Sequence, residues 1–217
     1  ALRKGDLEEA EKQYRAALEH FHAMNVRLGE ANAHWALGDV ELRQNKPDEA
    51  EKQYREALTD FQAISDRLGE ANTMKSLGDL ALRKGDLEEA EKQYRAALKG
   101  YTAIGNGLGE ANTHAALGDL ARRQNKQDEA KEQYQIALAG YQEFNNPLGQ
   151  ANTLADQGQL ALTGGEEEKA RGLLEQAVAI FTSIEDGFSV VVYTGRPVTT
   201  VFKTVGFSKG IPSLPDG

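Results

Sequence analysis

The chain repeats one pattern of apolar and polar residues every 40 positions. In the unit at residues 67–106, apolar or small residues recur at three- and four-residue spacing, at Leu68, Ala71, Met74, Gly78 and Ala81. This spacing predicts an amphipathic helix, because it places those side chains on one stripe. A second set with the same periodicity follows, at Ala90, Tyr94, Ala97, Leu98 and Tyr101. Each unit is therefore predicted to form two helices.

Turn residues separate the two predicted helices of each unit. Gly85, or Asn45 in the preceding unit, stands where a left-handed residue ends a helix. Asp86 follows as an N-cap residue, and Glu89 completes the capping-box pattern. Pro47 occupies a first-turn position where proline is tolerated. These signals predict a tight turn and an antiparallel hairpin.

The repeat divides the chain into a half unit, four whole units and a tail. The half unit comprises residues 1–26, and the whole units comprise residues 27–66, 67–106, 107–146 and 147–186. One hairpin cannot bury its apolar face alone, so the units are expected to stack. The last unit is the least regular, as expected of a repeat that caps a stack.

A longer period lies within the first. Residues 1–18 are identical to residues 81–98, and RQNKPDEA at position 43 pairs with RQNKQDEA at position 123. Recent duplication of an 80-residue double unit explains this identity. The chain opens partway through a unit, so we expect it to be a fragment.

These repeated positions resemble the tetratricopeptide repeat family. The Leu-Gly step of that family corresponds to Leu37-Gly38, Leu77-Gly78 and Leu117-Gly118. Its small and aromatic residues of the second helix correspond to Ala90, Tyr94 and Ala97, and to the equivalent residues of the other units. The resemblance implies an all-α fold, an α-solenoid in which antiparallel helix hairpins form a right-handed superhelix over residues 1–186.

The chain departs from the family pattern at two positions. Early in the first helix the large aromatic residue is replaced by His34, Met74, His114 and Leu154. The proline that closes the second helix is also absent, and Gln62, Thr102 and Gln142 stand in its place. A longer second helix is therefore expected, which explains a 40-residue unit instead of about 34.

The resemblance also implies where a ligand binds, because the first helices of this family line a concave groove. Polar residues on that face recur in successive units and would form ladders when the units stack. The predicted peptide-binding residues are Asn32, Trp35, Asp39, Arg43, Asn72, Lys75, Asp79, Arg83, Asn112, Asp119, Arg123 and Asn152. Asparagine suits a peptide ligand, since its amide offers both a donor and an acceptor to the peptide backbone.

Other interpretations of these ladders stay open. Duplication alone would copy polar surface residues. The Asp and Arg ladders are also four residues apart, as in Asp79 and Arg83, so each pair could form an intrahelical ion pair worth ~0.3–0.5 kcal/mol. Trp35 is a candidate apolar anchor. The carboxylate clamp of family members that bind chaperone tails is not reproduced, because Asp occupies a clamp asparagine position in three units.

Composition narrows the functional classes. A net charge of −9 argues against a nucleic-acid partner, whose binders carry a basic face. The absence of cysteine excludes disulfides and thiolate chemistry. No apolar run approaches the ~20 residues of a membrane helix, so no membrane partner is predicted. The sequence does not identify the compartment, and we expect the cytoplasm.

Packing and loop geometry explain the candidate catalytic and ligand-binding groups. His34 and His114 hold the same position two units apart, too far to share a metal, and are predicted to face the partner helix. The glycines at 105, 107 and 109 precede a helix but follow no strand, unlike a phosphate-binding loop. No nucleophile is paired with a base. We predict no enzyme, no cofactor and no metal site.

Residues 187–217 carry no repeat and are rich in Val, Thr and Phe. SVVVY and VTTVF flank TGRP, which predicts a non-helical, β-prone tail with a hairpin. The predicted function is a scaffold that binds a protein or peptide segment in the concave groove. One alternative is self-association, with the tail of the same or a neighbouring chain in the groove of a homo-oligomer. Another is a regulatory arm of a larger signalling protein. The sequence does not identify the ligand.

Overall fold

The computed structural model describes residues 4–184, and all nine elements in that range are α-helices. The helices are α1 (Lys4–Ala23), α2 (Arg27–Arg43), α3 (Pro47–Ile64), α4 (Arg67–Lys84), α5 (Leu87–Ile104), α6 (Gly107–Arg123), α7 (Gln127–Glu143), α8 (Pro147–Thr163) and α9 (Glu167–Ser183). The two helices predicted for each whole unit are confirmed, and α1 is the helix of the half unit. The predicted β-prone tail, residues 187–217, lies outside the described residues.

The chain divides into two compact units, which are larger than the 40-residue repeat units described above. Below, the first unit is residues 1–140 and the second unit is residues 141–217. In the first unit, α2 packs against α3 and α4 against α5, which are the predicted hairpins. Successive hairpins join where α3 meets α4 and where α5 meets α6, while α1 packs against α2. The first helices also contact each other directly, α2 with α4 and α4 with α6. The fold of this unit is therefore an all-α stack of helix hairpins, an α-solenoid.

The predicted turns form between the helices. Gly85 and Asn45 both adopt the left-handed conformation, with φ of 82° and 63°. The carboxylate of Asp86 accepts a hydrogen bond from the backbone N–H of Glu89 at 3.1 Å. The Glu89 side chain does not reach back to Asp86, however, and instead accepts from Gln93 Nε2 at 2.7 Å. Only one half of the predicted capping box is present, because the backbone N–H of Asp86 already donates to the Ala81 carbonyl at 2.9 Å.

In three of the helix pairs a tyrosine ring covers the glycine of the Leu-Gly step. Tyr94 is fully buried, and a Cβ added at Gly78 would lie 2.6 Å from its ring carbons. The glycine is required because no side chain fits between that helix and the ring. The same pairing joins Tyr54 with Gly38 and Tyr134 with Gly118.

A second set of glycines sets the junction between hairpins. Gly69 lies against the ring of Phe61, and Gly109 against the ring of Tyr101, each from the preceding second helix. The neighbouring leucines face outward, and Leu68 is 44% exposed. The prediction that Leu68 belongs to the buried stripe is wrong, because Gly69 takes that position beneath the ring.

The second unit contains the hairpin of α8 and α9. The Asn146 side chain caps α8 by accepting from the N–H of Gly149 at 2.8 Å, and Pro147 occupies the first turn. The aromatic residue of the other hairpins is replaced by Leu174, which lies against Gly158. None of the helices among residues 4–184 combines the length and the apolar character that a membrane span requires.

Candidate functional site

The predicted binding residues lie on α2, α4, α6 and α8, and their set is called the ladder face below. Positions i, i+3, i+7 and i+11 of each helix share this face, because a helix turn contains 3.6 residues. In the first unit it is built by α2, α4 and α6, of which neighbours are in contact. The apolar side of the same helices is buried, as at Ala71, Leu77 and Leu80 of α4, whereas polar groups stay accessible on the ladder face.

The asparagine ladder has two kinds of member. Asn32 is exposed, and its amide nitrogen donates to the Leu28 carbonyl one turn earlier at 2.9 Å. Asn72 Oδ1 accepts a hydrogen bond from the hydroxyl of the buried Tyr101 at 2.7 Å. Asn72 therefore also takes part in the fold, because its amide satisfies a hydroxyl of the hairpin. Asn112 is half-buried, and Asn152 of the second unit is exposed.

The aspartate ladder is bonded to the buried tyrosines of the same hairpins. Tyr54 donates its hydroxyl hydrogen to Asp39 Oδ1 at 2.5 Å, Tyr94 donates to Asp79 at 2.8 Å, and Tyr134 donates to Asp119 at 2.7 Å. Each aspartate is half-buried. These carboxylates stabilise the hairpins, since each satisfies a hydroxyl that is otherwise removed from water.

The tyrosine hydroxyls respond to this environment. Burial raises the pKa of Tyr94, and the adjacent Asp79 carboxylate raises it further. Burial likewise raises the pKa of Tyr54, which donates to Asp39. In both cases a phenolate would be desolvated and would lie beside a negative charge. The tyrosines therefore stay neutral donors throughout the physiological range.

The arginine ladder extends furthest into solvent. Arg43 and Arg83 are exposed, while Arg123 donates to the Leu82 carbonyl on the preceding first helix at 3.2 Å. In residues 4–184 no Asp–Arg ion pair forms at the four-residue spacing considered from the sequence. Asp119 instead pairs with Arg122 at 3.0 Å, and Asp79 pairs with Lys75 at 2.8 Å.

Trp35 bridges two hairpins of the first unit. Its indole N–H donates to Ser76 Oγ on α4 at 3.1 Å. The half-buried ring also packs against Ala31, Ala57 and Phe61. Trp35 is therefore anchored in the stack and leaves only part of its ring accessible. Lys75, the equivalent residue in the next hairpin, is half-buried and bonded to Asp79.

The two histidines considered as ligands are packing residues, as predicted. His34 Nδ1 lies 2.8 Å from Gln53 Oε1 on the partner helix, and His114 Nδ1 lies 2.8 Å from Gln133 Oε1. In the part of the chain that the structure describes, no group of three or more His, Asp or Glu side chains is placed to hold a metal ion.

The supporting tyrosines were not among the predicted site residues. Tyr54, Tyr94 and Tyr134 determine which oxygen of each ladder aspartate stays accessible. A sequence signal was available, because an Asp and a Tyr recur 15 residues apart in three repeat units.

Two shallow depressions of about 330 and 480 Å³ lie away from the ladder face, each lined by a single second helix, α3 or α5. Neither can enclose a small molecule.

Comparison with known structures identifies the fold. BtubC (BKLC) from P. vanneervenii has a TM-score of 0.72 at 20% identity, over 91% of this chain and 82% of that chain. Aspartyl phosphate phosphatase F from Bacillus subtilis has a TM-score of 0.76 at 14% identity, over 83% of this chain and 49% of that chain. This chain therefore spans about half the length of that phosphatase.

A third similar structure is the Rap conjugation gene regulator of plasmid pLS20, solved in complex with the Phr* peptide. Its TM-score is 0.66 at 16% identity, over 86% of this chain and 58% of that chain. No curated protein sequence matches the chain. The tetratricopeptide repeat model matches residues 1–63, 29–103 and 69–143, more than half of the chain when taken together. With its helix hairpins, its tyrosine–glycine contacts and these matches, the chain belongs to the tetratricopeptide repeat family.

Proposed function

We propose that the chain is a protein-interaction scaffold that binds an extended peptide segment of a partner along the ladder face, in a concave groove lined by the first helices. The observation that carries this proposal is the repeated accessible polar face of α2, α4 and α6. Its arginines Arg43 and Arg83 are exposed, and its aspartates and Asn72 are held in place by buried tyrosines. An ordered row of polar groups loses little side-chain freedom on binding, which favours affinity.

The hydrogen bonds to tyrosine give each ladder residue a defined role. Because Asn72 Oδ1 is occupied by Tyr101, its amide nitrogen is the group that faces a ligand and donates to peptide carbonyls. Because Asp39 Oδ1 is occupied by Tyr54, its second oxygen is left to accept from peptide N–H groups. The face therefore presents donors and acceptors in register with the hairpins, as a peptide backbone requires.

The exposed arginines of the ladder face favour particular side chains on the peptide. Arg43 and Arg83 lie on successive first helices, and both are exposed. Guanidinium groups form bidentate hydrogen bonds with carboxylates, so Asp or Glu side chains of the peptide fit beside them. Several weak contacts spread over hairpins give micromolar affinity. The complex of the similar Rap regulator with the Phr* peptide supports a peptide as the ligand. No catalytic role is proposed.

The test uses peptides selected from a displayed library on the full chain. The variant Arg43→Ala/Arg83→Ala should weaken binding of a selected peptide by about 1–3 kcal/mol, since each of the two lost hydrogen bonds contributes roughly 0.5–1.5 kcal/mol at an exposed site. Isothermal titration calorimetry measures the affinity, and far-UV circular dichroism confirms the fold.

The matched control is Arg55→Ala/Arg95→Ala. These arginines are also exposed and 40 residues apart, but they lie on the second helices and pair with Glu51 and Glu91. The control should bind the peptide as the unaltered chain does. If both variants lose the same affinity, the effect comes from the net charge of the chain and not from the ladder face. If neither variant loses affinity, the ladder face is not the binding site.

The asparagine ladder needs a compensated variant. Asn72→Ala alone leaves the buried Tyr101 hydroxyl without its acceptor, which costs stability. Asn72→Ala/Tyr101→Phe removes both partners, and a pair removed together can be nearly neutral for the fold. We expect this variant to melt like the unaltered chain and to bind the peptide more weakly. Unchanged affinity would mean that Asn72 supports the fold and that the asparagine ladder was copied by duplication without binding the peptide.

A further inference from the structure

The three ladder aspartates differ in whether their own helix supplies a cation. Lys75 Nζ donates to Asp79 Oδ2 at 2.8 Å, and Arg122 Nη2 donates to Asp119 Oδ1 at 3.0 Å. Asp39 accepts the same kind of hydrogen bond from a tyrosine as the other two, but it forms no ion pair with any residue that the structure describes. Its negative charge is therefore left without a cation at contact distance.

The sequence of α2 causes this difference. The residue four positions before the aspartate is Lys75 in α4 but Trp35 in α2. The residue three positions after the aspartate is Arg122 in α6 but Leu42 in α2. Both places from which a ladder aspartate receives its cation are thus uncharged around Asp39.

The carboxylate at this position of a first helix stays accessible inside the stack. Asp79 lies on α4, which contacts a first helix on each side, and 42% of its side chain is exposed. Neighbouring first helices therefore do not cover the position. Asp39 is likewise half-buried, and because Tyr54 donates to its Oδ1, its Oδ2 is left for a ligand.

The next hairpin shows which group fits this oxygen. At Asp79 the equivalent Oδ2 is bound by an ammonium group, that of Lys75. A cationic donor forms a stronger hydrogen bond with a carboxylate than a neutral peptide N–H does. In α2 the half-buried ring of Trp35 lies one turn from Asp39, and an aromatic ring attracts a cation within about 6 Å of its centre. Carboxylate and indole therefore both favour a cation here.

We propose that Asp39 and Trp35 form a subsite for one lysine or arginine side chain of the bound peptide. This inference rests on the proposed function, because the peptide that lies along the ladder face supplies the cation. The basic group donates to Asp39 Oδ2, in the place that Lys75 Nζ takes at Asp79. The ligand is therefore a peptide with acidic residues beside the ladder arginines and one basic residue beside Asp39.

The test compares two matched variants of the full chain. Asp39→Asn removes the charge and keeps an oxygen for the Tyr54 hydroxyl. Asp79→Asn makes the same change at an aspartate that already has Lys75 as its cation. Peptides are selected from a displayed library on the unaltered chain. A selected peptide is then synthesised with its basic residue and with uncharged norleucine in that place.

We expect the unaltered chain to bind the basic peptide about tenfold more tightly than the norleucine peptide, since one charge-assisted hydrogen bond is lost. Asp39→Asn should bind the two peptides equally, and Asp79→Asn should discriminate as the unaltered chain does. Isothermal titration calorimetry measures the affinities, and thermal melts by circular dichroism verify the fold.

A third variant fills the subsite from within. Trp35→Lys gives α2 the lysine that α4 has, so Asp39 should gain its own ion pair and the variant should bind the two peptides equally. Trp35 packs against Ala31, Ala57 and Phe61, so this variant is melted beside the unaltered chain. Asp39→Asn leaves that packing intact and provides the test independently.

Three results would overturn the subsite and leave the proposed function standing. The first is that peptides whose binding depends on Arg43 and Arg83 are selected without a basic residue. The second is that Asp39→Asn still prefers the basic peptide, and the third is that Asp79→Asn loses the preference to the same extent. If no peptide is selected, or if none depends on the ladder arginines, the proposed function fails and the subsite fails with it.

Discussion

Glu41 is a buried acid at a position where the other whole units have alanine. Its counterparts are Ala81, Ala121 and Ala161. Only 1% of Glu41 is exposed, and Oε1 accepts from Arg15 at 2.9 Å. Oε2 has no hydrogen-bond partner, and neither has the buried Oε1 of Gln44. The carboxylate therefore has one satisfied and one unsatisfied oxygen, which makes its charged form costly.

We predict that Glu41→Gln raises the free energy of unfolding at pH 7 by about 1 kcal/mol, because a neutral amide is cheaper to bury than a half-satisfied carboxylate. Burial raises the pKa of Glu41 above its usual 4.5, against the opposing effect of Arg15. Glu11 and Glu49 also raise it, and Lys46 lowers it. A raised folded pKa contributes stability that is fully present below about 4.5 and is lost as the pH rises through the folded pKa.

Urea melts at pH 4 and pH 7 measure this effect. The gain from Glu41→Gln should appear at pH 7 and shrink towards pH 4, where the native carboxyl is protonated. Glu132→Gln is the control and should change neither value, because Glu132 is exposed on α7 and is not among the charges that act on Glu41. A loss of stability at pH 7 would mean that the ion pair with Arg15 outweighs the cost of burial.

At the residue scale, sequence reasoning located the ladder residues but not their bonds. The three- and four-residue spacing is enough to place Asn72 and Asp79 on one face of a helix. It does not show that Tyr101 and Tyr94 from another helix reach them, because that depends on how the two helices cross. The same limit applies to Leu68, whose burial was expected from helical periodicity and was prevented by the close approach of Phe61 to Gly69.

At the element scale, one hexapeptide adopts two structures. KGDLEE is helical at residues 4–9, within α1. At residues 84–89 the same letters end α4, turn through Gly85 and begin α5. The turn is fixed by the preceding helix, since the N–H of Asp86 donates to the Ala81 carbonyl at 2.9 Å. The same six residues therefore lie within a helix at Gly5 and form a turn at Gly85.

This pair of glycines gives a matched prediction. Gly85→Ala should destabilise the chain by roughly 1 kcal/mol, because an L side chain is strained at a φ of 82°. Gly5→Ala should be neutral or stabilise by up to ~0.5–1 kcal/mol, since Gly5 lies in a helix and its added Cβ would meet nothing within 4 Å. Denaturant melts of the two variants provide the comparison. Equal effects at the two sites would show that residues 4–9 form a turn in solution.

At the scale of the whole molecule, buried tyrosines recur along the chain. Burial raises the pKa of Tyr101 to about 12, and burial together with Asp156 raises that of Tyr141 to about 12. Tyr54 and Tyr94 are shifted in the same direction. Because the folded pKa exceeds the unfolded value near 10, each group contributes stability that is fully present below pH 10 and is lost as the pH rises through the folded pKa.

We therefore predict that the free energy of unfolding falls steeply above pH 10. Tyr94→Phe should cost about 1 kcal/mol at pH 8, through the lost hydrogen bond to Asp79, and should flatten the alkaline decline. Chemical melts between pH 8 and pH 11.5 test both statements. Tyr14→Phe is the control, because Tyr14 is 40% exposed, and it should leave the decline unchanged. A decline of the same slope in Tyr94→Phe would point to lysine deprotonation instead.

The fold of the array was largely predictable because its signals are repeated. Helix existence, hairpin turns and the glycine under each tyrosine recur in several units, so one ambiguous unit is corrected by the next. The repeat could not show the exceptions, of which Glu41 is the clearest. An exception occurs once in the sequence, and only its packing environment in the folded chain shows what it does.

The position of Trp35 has a consequence for spectroscopy. Trp35 is the single tryptophan of the chain, and its indole joins α2 to Ser76 of α4. Its emission therefore reports the opening of one junction between two neighbouring hairpins, whereas the amide signal averages over all helices. Repeat arrays need not open all at once. A difference between the two melting curves would measure the cooperativity of this junction without any introduced label.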